Sequence, residues 1–168
     1  MNGSLMSEMS TKGMRQLATI RFEGIDQYLA ALQRVYGASE ETAKRALYDG
    51  AGVVANRIKA ALGGIQTSDP DQWYEGLRPG PTPAEKQAMI GAFGLSHMRE
   101  ENGYISTKAG FSGSAGKVPA ATVARQCESG SSFMRKQPVI RQASNASKGA
   151  AEAAMSKTLD EEIQKLMG

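Results

Sequence analysis

One cysteine, Cys127, and one histidine, His97, are all that this chain of 168 residues holds of either type. A lone thiol rules out an intrachain disulfide and with it the small secreted scaffolds built on such bridges; a reducing compartment is compatible with that usage. Cys127 and His97 together cannot complete a zinc set, which needs three or four ligands. Aromatic residues are scarce, at 6 %. No window of about 18 apolar residues occurs, so no segment reads as a membrane span. The net charge is only +3. That favours solubility but lacks the dense basic face of a dedicated nucleic-acid binder.

Familiar chemical motifs are missing as well. Glu40-Glu41 and Glu100-Glu101 are adjacent in sequence rather than spaced to face one another, and read as helix-cap and turn residues. Gly110, Gly113 and Gly116 lack both the Lys-Ser/Thr of a phosphate loop and the strand-turn-helix of a dinucleotide site. His97 reads as solvent-facing or as hydrogen-bonded at a sheet edge. Cys127 reads as a small buried hydrophobe rather than a reactive thiol. An enzyme would need His97, Cys127 and Glu128 together in one deep pocket. The chain is therefore expected to be no enzyme and to hold no cofactor or metal.

What is present is ordinary for a single globular domain: 40 % hydrophobic and 22 % charged residues. The 19 glycines imply a thin core, long loops and some stability supplied by partners. Residues 1–14, rich in Ser, Met and Gly, lack the apolar stretch of a signal peptide and read as a leader, disordered or ordered by a partner. Residues 15–168 then form one domain. Alternation over 15–22 suggests a strand, and Ile25, Tyr28, Leu29, Leu32 and Val35 a short helix stopped by Gly37. Ser39 is a good N-cap for the clearest helix, with Glu40 and Glu41 in its first turn. Its apolar stripe is Ala43, Leu47, Gly50, Val54, Ile58 and Ala61, and Gly63-Gly64 ends it. Gly50 on that stripe points to close approach of another backbone.

Residues 65–82 form an extended proline-bearing loop, with Trp73, Tyr74 and Leu77 as anchors onto the core or onto a neighbouring subunit. Thr82-Pro83-Ala84-Glu85 is a capping box for a short helix fading at Gly91 or Gly94. Asn102-Gly103 is a type I′ turn signal between strands at 95–101 and 104–111, although 95–98 equally extends the helix. Residues 112–119 read as a flexible loop, and Ala121 to Cys127 as a strand or a short helix. Past Pro138 comes a final helix. Its early small-residue face is Ala143, Ala146, Ala150 and Ala153, and its late stripe Met155, Leu159, Ile163 and Leu166. Lys157–Glu161 and Glu161–Lys165 are opposite-charge pairs four residues apart. The fold expected is α+β, a small antiparallel sheet packed against a long central helix and a long C-terminal helix. Arg125, Arg135, Lys136 and Arg141 are the main basic cluster, read as a solvated or subunit-pairing face or as a weak contact with passing DNA.

Residues 123–143 read Val-Ala-Arg-Gln-Cys-Glu-Ser-Gly-Ser-Ser-Phe-Met-Arg-Lys-Gln-Pro-Val-Ile-Arg-Gln-Ala. This stretch resembles the C-terminal signature of the tail-completion (neck) proteins of tailed phages. In that family an apolar-Glu-x-Gly-Thr-Ser segment ends a strand, and Pro-Phe-apolar-Arg-Pro-Ala then opens a long final helix. The match is direct at Glu128, Gly130, Ser132, Pro138, Ile140, Arg141 and Ala143. Ser131 stands for the threonine, Val139 for the aromatic and Gln142 for the second proline. The upstream order agrees too: a strand, a Gly-acid step at Gly24 and Asp26, a long helix, a proline loop, and a strand ending near Gly110-Phe111. In physical terms Gly130 permits a tight turn or positive φ. Glu128 accepts backbone N–H bonds or pairs with Arg141. Pro138 opens the helix.

The resemblance implies a structural virion protein, assembled in the host cytoplasm, that joins tail to head side as a ring of copies, commonly six. Its partners would be the tail tube or tail terminator protein, a head-closure or adaptor protein, and DNA passing through without specific binding. Loops 63–82 and 110–119 would order on assembly, and Trp73, Tyr74, Leu77, Phe111 and Phe133 are interface candidates. A tail terminator or head-closure protein of the same stack shares these features. A small DNA-binding or toxin–antitoxin-like module, using the basic cluster, is the reading from a different class.

Overall fold

A computed structural model describes residues 14–15 and 40–167. The strand expected over 15–22 is described only at Met14–Arg15 (β1). The leader before it, the helix expected over 25–35 and the cap at Ser39 lie outside the described residues. From Glu40 onward the chain is an α+β fold, as expected. Helix α1 (Glu40–Gly63) buries Ala43, Leu47, Gly50, Val54 and Ile58 on one stripe. The stripe ends on Leu62, which is fully buried, whereas Ala61 is only half-buried. From Ile58 the core direction is reached four residues on rather than three, one helical turn being 3.6 residues.

Helix α2 (Pro83–Ala92) opens on the expected capping box. The Glu85 N–H donates to Thr82 Oγ1 at 3.2 Å, and the Thr82 N–H donates to Glu85 Oε2 at 2.8 Å. Two otherwise unpaired helix-end donors are thereby satisfied. The helix stops at Ala92, so 95–98 does not extend it. Phe93 instead turns to extended backbone and begins β2 (Phe93–Leu95).

Strands β3 (Arg99–Glu101) and β4 (Tyr104–Ser106) flank Asn102 and Gly103, with φ of 53° and 80°. Positive φ at both central residues is the type I′ geometry read from Asn-Gly. Strand β5 (Ala109–Ser112) pairs antiparallel with β2 on one side and β1 on the other, in the order β1-β5-β2. Between the two halves of this long hairpin the ladder is interrupted. There the Ser96 N–H donates to the Lys108 carbonyl at 2.7 Å, and Thr107 Oγ1 donates to the Ser96 carbonyl at 2.9 Å.

Residues 112–119 are not a free loop. They form a tight hairpin of β6 (Ser114–Ala115) and β7 (Val118–Pro119), entered through Gly113 (φ 84°) and turned at Gly116 (φ 68°). Glycine tolerates those angles, so a composition that suggests flexibility here serves a fixed turn. Helix α3 (Ala120–Ser129) follows, which settles the strand-or-helix alternative at 121–127.

The last helix, α4 (Ile140–Met167), runs antiparallel to α1. Arg45 meets Glu162 at 3.3 Å, Asp49 accepts a 2.6 Å bond from Thr158, and Gly50 faces Met155 and Ala151. The buried face of α4 is Ile140, Ala143, Ser147, Ala151, Met155 and Leu159. Ala146, Ala150 and Ala153 point to solvent, which corrects the small-residue face expected for the early half. Ile163 is half-buried. Lys157 and Glu161 pair at 3.8 Å, but Lys165 bonds to Glu162 at 2.7 Å rather than to Glu161. Glu162 also meets Arg45 from α1, which draws its carboxylate toward the helix pair.

The main core gathers Val54, Ile58, Leu62, Met89, Phe111, Val123, Met134 and Ile140 from helices, sheet and the 131–139 segment. A second cluster of Ala43, Ala46, Leu47, Met155 and Leu159 closes the far end of the α1/α4 pair, with Met98 and Ile105 of the long hairpin packed on it.

Candidate functional site

The residues that carry the motif meet at the junction of α3 and α4. Glu128, one residue before the end of α3, reaches across to the start of α4. Its Oε2 accepts from the Ile140 N–H at 2.9 Å and its Oε1 from the Arg141 N–H at 3.0 Å. A carboxylate there serves both free donors and the positive end of the helix dipole. Arg141 is engaged through its backbone, not its guanidinium. Gly130 ends α3 at φ 76°, ψ 169°, a conformation open to glycine. A Cβ at Gly130 would also stand 3.2 Å from Lys136 Cβ. Ser131 then closes a turn: its Oγ accepts from the Met134 N–H at 3.0 Å, and its N–H donates to the Met134 carbonyl at 3.0 Å. Serine at the expected threonine position keeps the hydroxyl this turn uses. Ser132 is exposed.

Two details differ from what the resemblance implies. The Glu-x-Gly-Ser-Ser segment ends a helix here, not a strand. Pro138 is not the first helical residue. Helix α4 begins at Ile140, and the Val139 carbonyl accepts its first bond, from the Ala143 N–H at 3.0 Å. Pro138 therefore fixes the approach to the helix.

A residue the sequence reading passed over holds this junction to the rest of the fold. The Gln137 side chain donates from Nε2 to the carbonyls of Gln66 (3.1 Å) and Pro79 (3.0 Å), and its Oε1 accepts from the Gln66 N–H (2.8 Å). Its backbone N–H donates to the Cys127 carbonyl at 2.7 Å. Gly80 is packed on the same spot, where a Cβ would fall 1.9 Å from the Gln66 carbonyl oxygen. Arg78 and Met134 form a parallel bridge: the Arg78 N–H donates to the Phe133 carbonyl at 2.8 Å and the Arg135 N–H to the Arg78 carbonyl at 2.9 Å. Buried Ser68 adds a 2.7 Å bond to the Gly80 carbonyl. The loop after α1 is thus tied down within one chain, and so is the 110–119 hairpin. No local pattern signals Gln137 or the bridge, because both join segments about 60–70 residues apart in sequence.

The bridge sets two surface segments side by side. Tyr74 and Leu77 exchange backbone bonds of 2.8 and 2.9 Å around Glu75 (φ 53°) and Gly76 (φ 80°), making a tight turn next to Arg78. Trp73 and Tyr74 are 51 % and 55 % exposed, so they do not anchor on the core, and Leu77 is half-buried. Phe133, across the bridge, is 37 % exposed. Phe111 leaves the set of interface candidates. It is buried in the sheet against Phe93, ring centroids 5.1 Å apart. Arg125, Arg135, Lys136 and Arg141 are all exposed, and none forms an ion pair among the described residues.

His97 is exposed. Cys127 is buried with Met134 Sδ 3.9 Å from its sulfur, and burial pushes its thiol up to about 12. A shallow open groove of about 350 Å³, lined by Glu41, Lys44, Arg45, Tyr48, Asp49 and Met98, contains neither of them. Among the described residues no three His, Cys, Asp or Glu side chains gather as metal ligands, and no helix is long and apolar enough to cross a membrane. Compared with known proteins, the chain matches no family model, no curated protein and no solved structure.

Proposed function

We propose that this protein is a non-enzymatic structural subunit of the phage neck, forming a ring that completes the tail and joins it to the head side. One observation carries the reading. Within the 128–143 motif, which resembles that of tail-completion proteins, Glu128 fixes the start of the last helix from the end of the one before, as a mechanical joint. Such a joint holds a helix and an adjoining surface at a set angle, as a ring subunit requires, and involves no chemical step. The exposed rings of Trp73, Tyr74 and Phe133 beside the joint support a role in association, because aromatic side chains are enriched in contact surfaces.

A closed ring of identical subunits uses one head-to-tail contact repeated around an axis. Light scattering across a concentration series, alone and with purified tail tubes, tests the proposal. A closed oligomer, alone or on adding tubes, is expected and would give the copy number. A monomer indifferent to tubes would discard it. Salt-dependent binding to duplex DNA by that monomer would point to the DNA-binding module instead.

A further inference from the structure

Resting on that reading of a self-assembling subunit, we propose that two copies also pair about a twofold axis, the 69–76 turn of each docking on the 133–136 segment of the other, because the Arg78–Met134 bridge sets the two segments side by side. The two segments carry opposite charge. Asp69, Asp71 and Glu75 flank Trp73 and Tyr74 on the turn, whereas Arg135 and Lys136 follow Phe133 on the segment. All five charged residues are exposed, and none forms an ion pair among the described residues although the segments are joined by the Arg78–Met134 bridge. Aromatic rings beside uncommitted charge of one sign, opposite a ring beside uncommitted charge of the other, is the arrangement of two complementary contact faces.

Three features select a second copy as the occupant. A nucleic-acid strand drawn to Arg135 and Lys136 would meet the acidic turn that the Arg78–Met134 bridge joins to their segment. An uncharged apolar partner would strip water from five charges without pairing any. A second copy offers each face its complement. Both faces are also built in advance. The turn is closed by the Tyr74–Leu77 bonds and the segment is held by Ser131, Arg78 and Gln137. Little chain is left to order on docking, so little of the contact energy is spent on it. The three rings expose roughly 300 Å² at 150–250 Å² per aromatic side chain. A stable interface takes about 800 Å² per partner, so the charged rim supplies much of the area and the contact weakens with salt.

The test uses the full chain and sedimentation velocity at low and high salt. The variants are D71K/E75K on the turn and R135E/K136E on the segment, with circular dichroism to establish folding. Arg135 engages the bridge through its backbone, which the substitution leaves in place. Each variant alone is expected to associate at least about tenfold more weakly than the parent, and an equimolar mixture of the two to recover association, since each then meets its opposite. Variants that associate like the parent would overturn this contact while leaving the ring standing on another face. A parent that is monomeric with and without tail tubes would overturn both. Binding of an oligothymidylate by a monomeric parent, lost in R135E/K136E, would overturn it in favour of nucleic acid.

Discussion

Replacing Gly50 by alanine sets two effects of similar size against each other. A glycine inside a helix costs about 1 kcal/mol relative to alanine, so propensity alone favours the change. The neighbouring helix opposes it. A Cβ at Gly50 would lie 2.4 Å from Met155 Cγ, 2.7 Å from its sulfur and 3.2 Å from the Ala151 carbonyl oxygen. Met155 is fully buried and cannot swing into solvent. Overpacking of this kind costs about 1–3 kcal/mol, so Gly50→Ala should destabilise the fold by roughly 1 kcal/mol, lowering Tm by about 2–4 °C. Met155→Ala alone should cost about 2–5 kcal/mol through the cavity it leaves. In that background the obstructing Cγ and sulfur are gone, and Gly50→Ala should become neutral or favourable by up to about 1 kcal/mol. Urea unfolding of all four proteins, followed by circular dichroism, gives the coupling, expected at about 1–2 kcal/mol. Stabilisation of the parent by Gly50→Ala, or additivity within about 0.5 kcal/mol, would refute the close contact of the two helices.

Other expectations follow from single contacts. Glu128→Ala removes both acceptors from the start of α4 and should cost about 1–2 kcal/mol, with faster hydrogen exchange at Ile140 and Arg141; unchanged exchange there would count against the joint. Cys127, its thiol pushed up by burial and buried to 1 %, should resist thiol reagents at pH 8 in the folded protein and label in step with urea unfolding, whereas rapid labelling in native buffer would contradict its burial. The Glu162 carboxyl is held below its ordinary value of 4.5, first by the Lys165 hydrogen bond and then by charge attraction to Lys165 and Arg45. Its stabilising contribution is therefore present above that value and lost as pH falls through the lowered one. Titration by NMR should show the depression relieved in Lys165→Ala and less so in Arg45→Ala.

Much of the fold was legible because it is locally encoded. The stripe of α1 as far as Ile58, the Thr82–Glu85 box and the Asn102-Gly103 turn each need only a few consecutive residues, and each is where the pattern placed it. The final helix was legible as a helix but not in its orientation. Alanines at 143, 146, 150 and 153 define a face of the right period, yet alanine suits a solvated face as well as a packed one. Ser147 and Ala151 are the buried choice, and Ala151 opposes Gly50 of α1. Residues 112–119 misled for a related reason, since glycine and serine read alike in a flexible loop and in a turn that needs positive φ.

At the candidate site the Glu128 acceptor role and the positive φ of Gly130 could be argued from residue type. The placement of Trp73 and Tyr74 beside Phe133 could not, because it depends on the Arg78–Met134 bridge between distant segments. Nor could Gln137, whose bonds to Gln66 and Pro79 give no local signal.

The antiparallel pairing of α1 with α4 also has a consequence for the order of events in synthesis. Residues 40–63 leave the ribosome roughly 100 residues before the helix that covers them, a delay on the order of 5–20 s at about 5–20 residues per second. Throughout that interval Leu47 and Gly50 face water or a chaperone instead of Met155 and Ala151. The far end of the fold, with Met98 and Ile105 resting on Leu47, Met155 and Leu159, closes only when the last helix arrives. A chain cut short before residue 150 would leave Ala43, Ala46 and Leu47 of α1 without Met155 and Leu159.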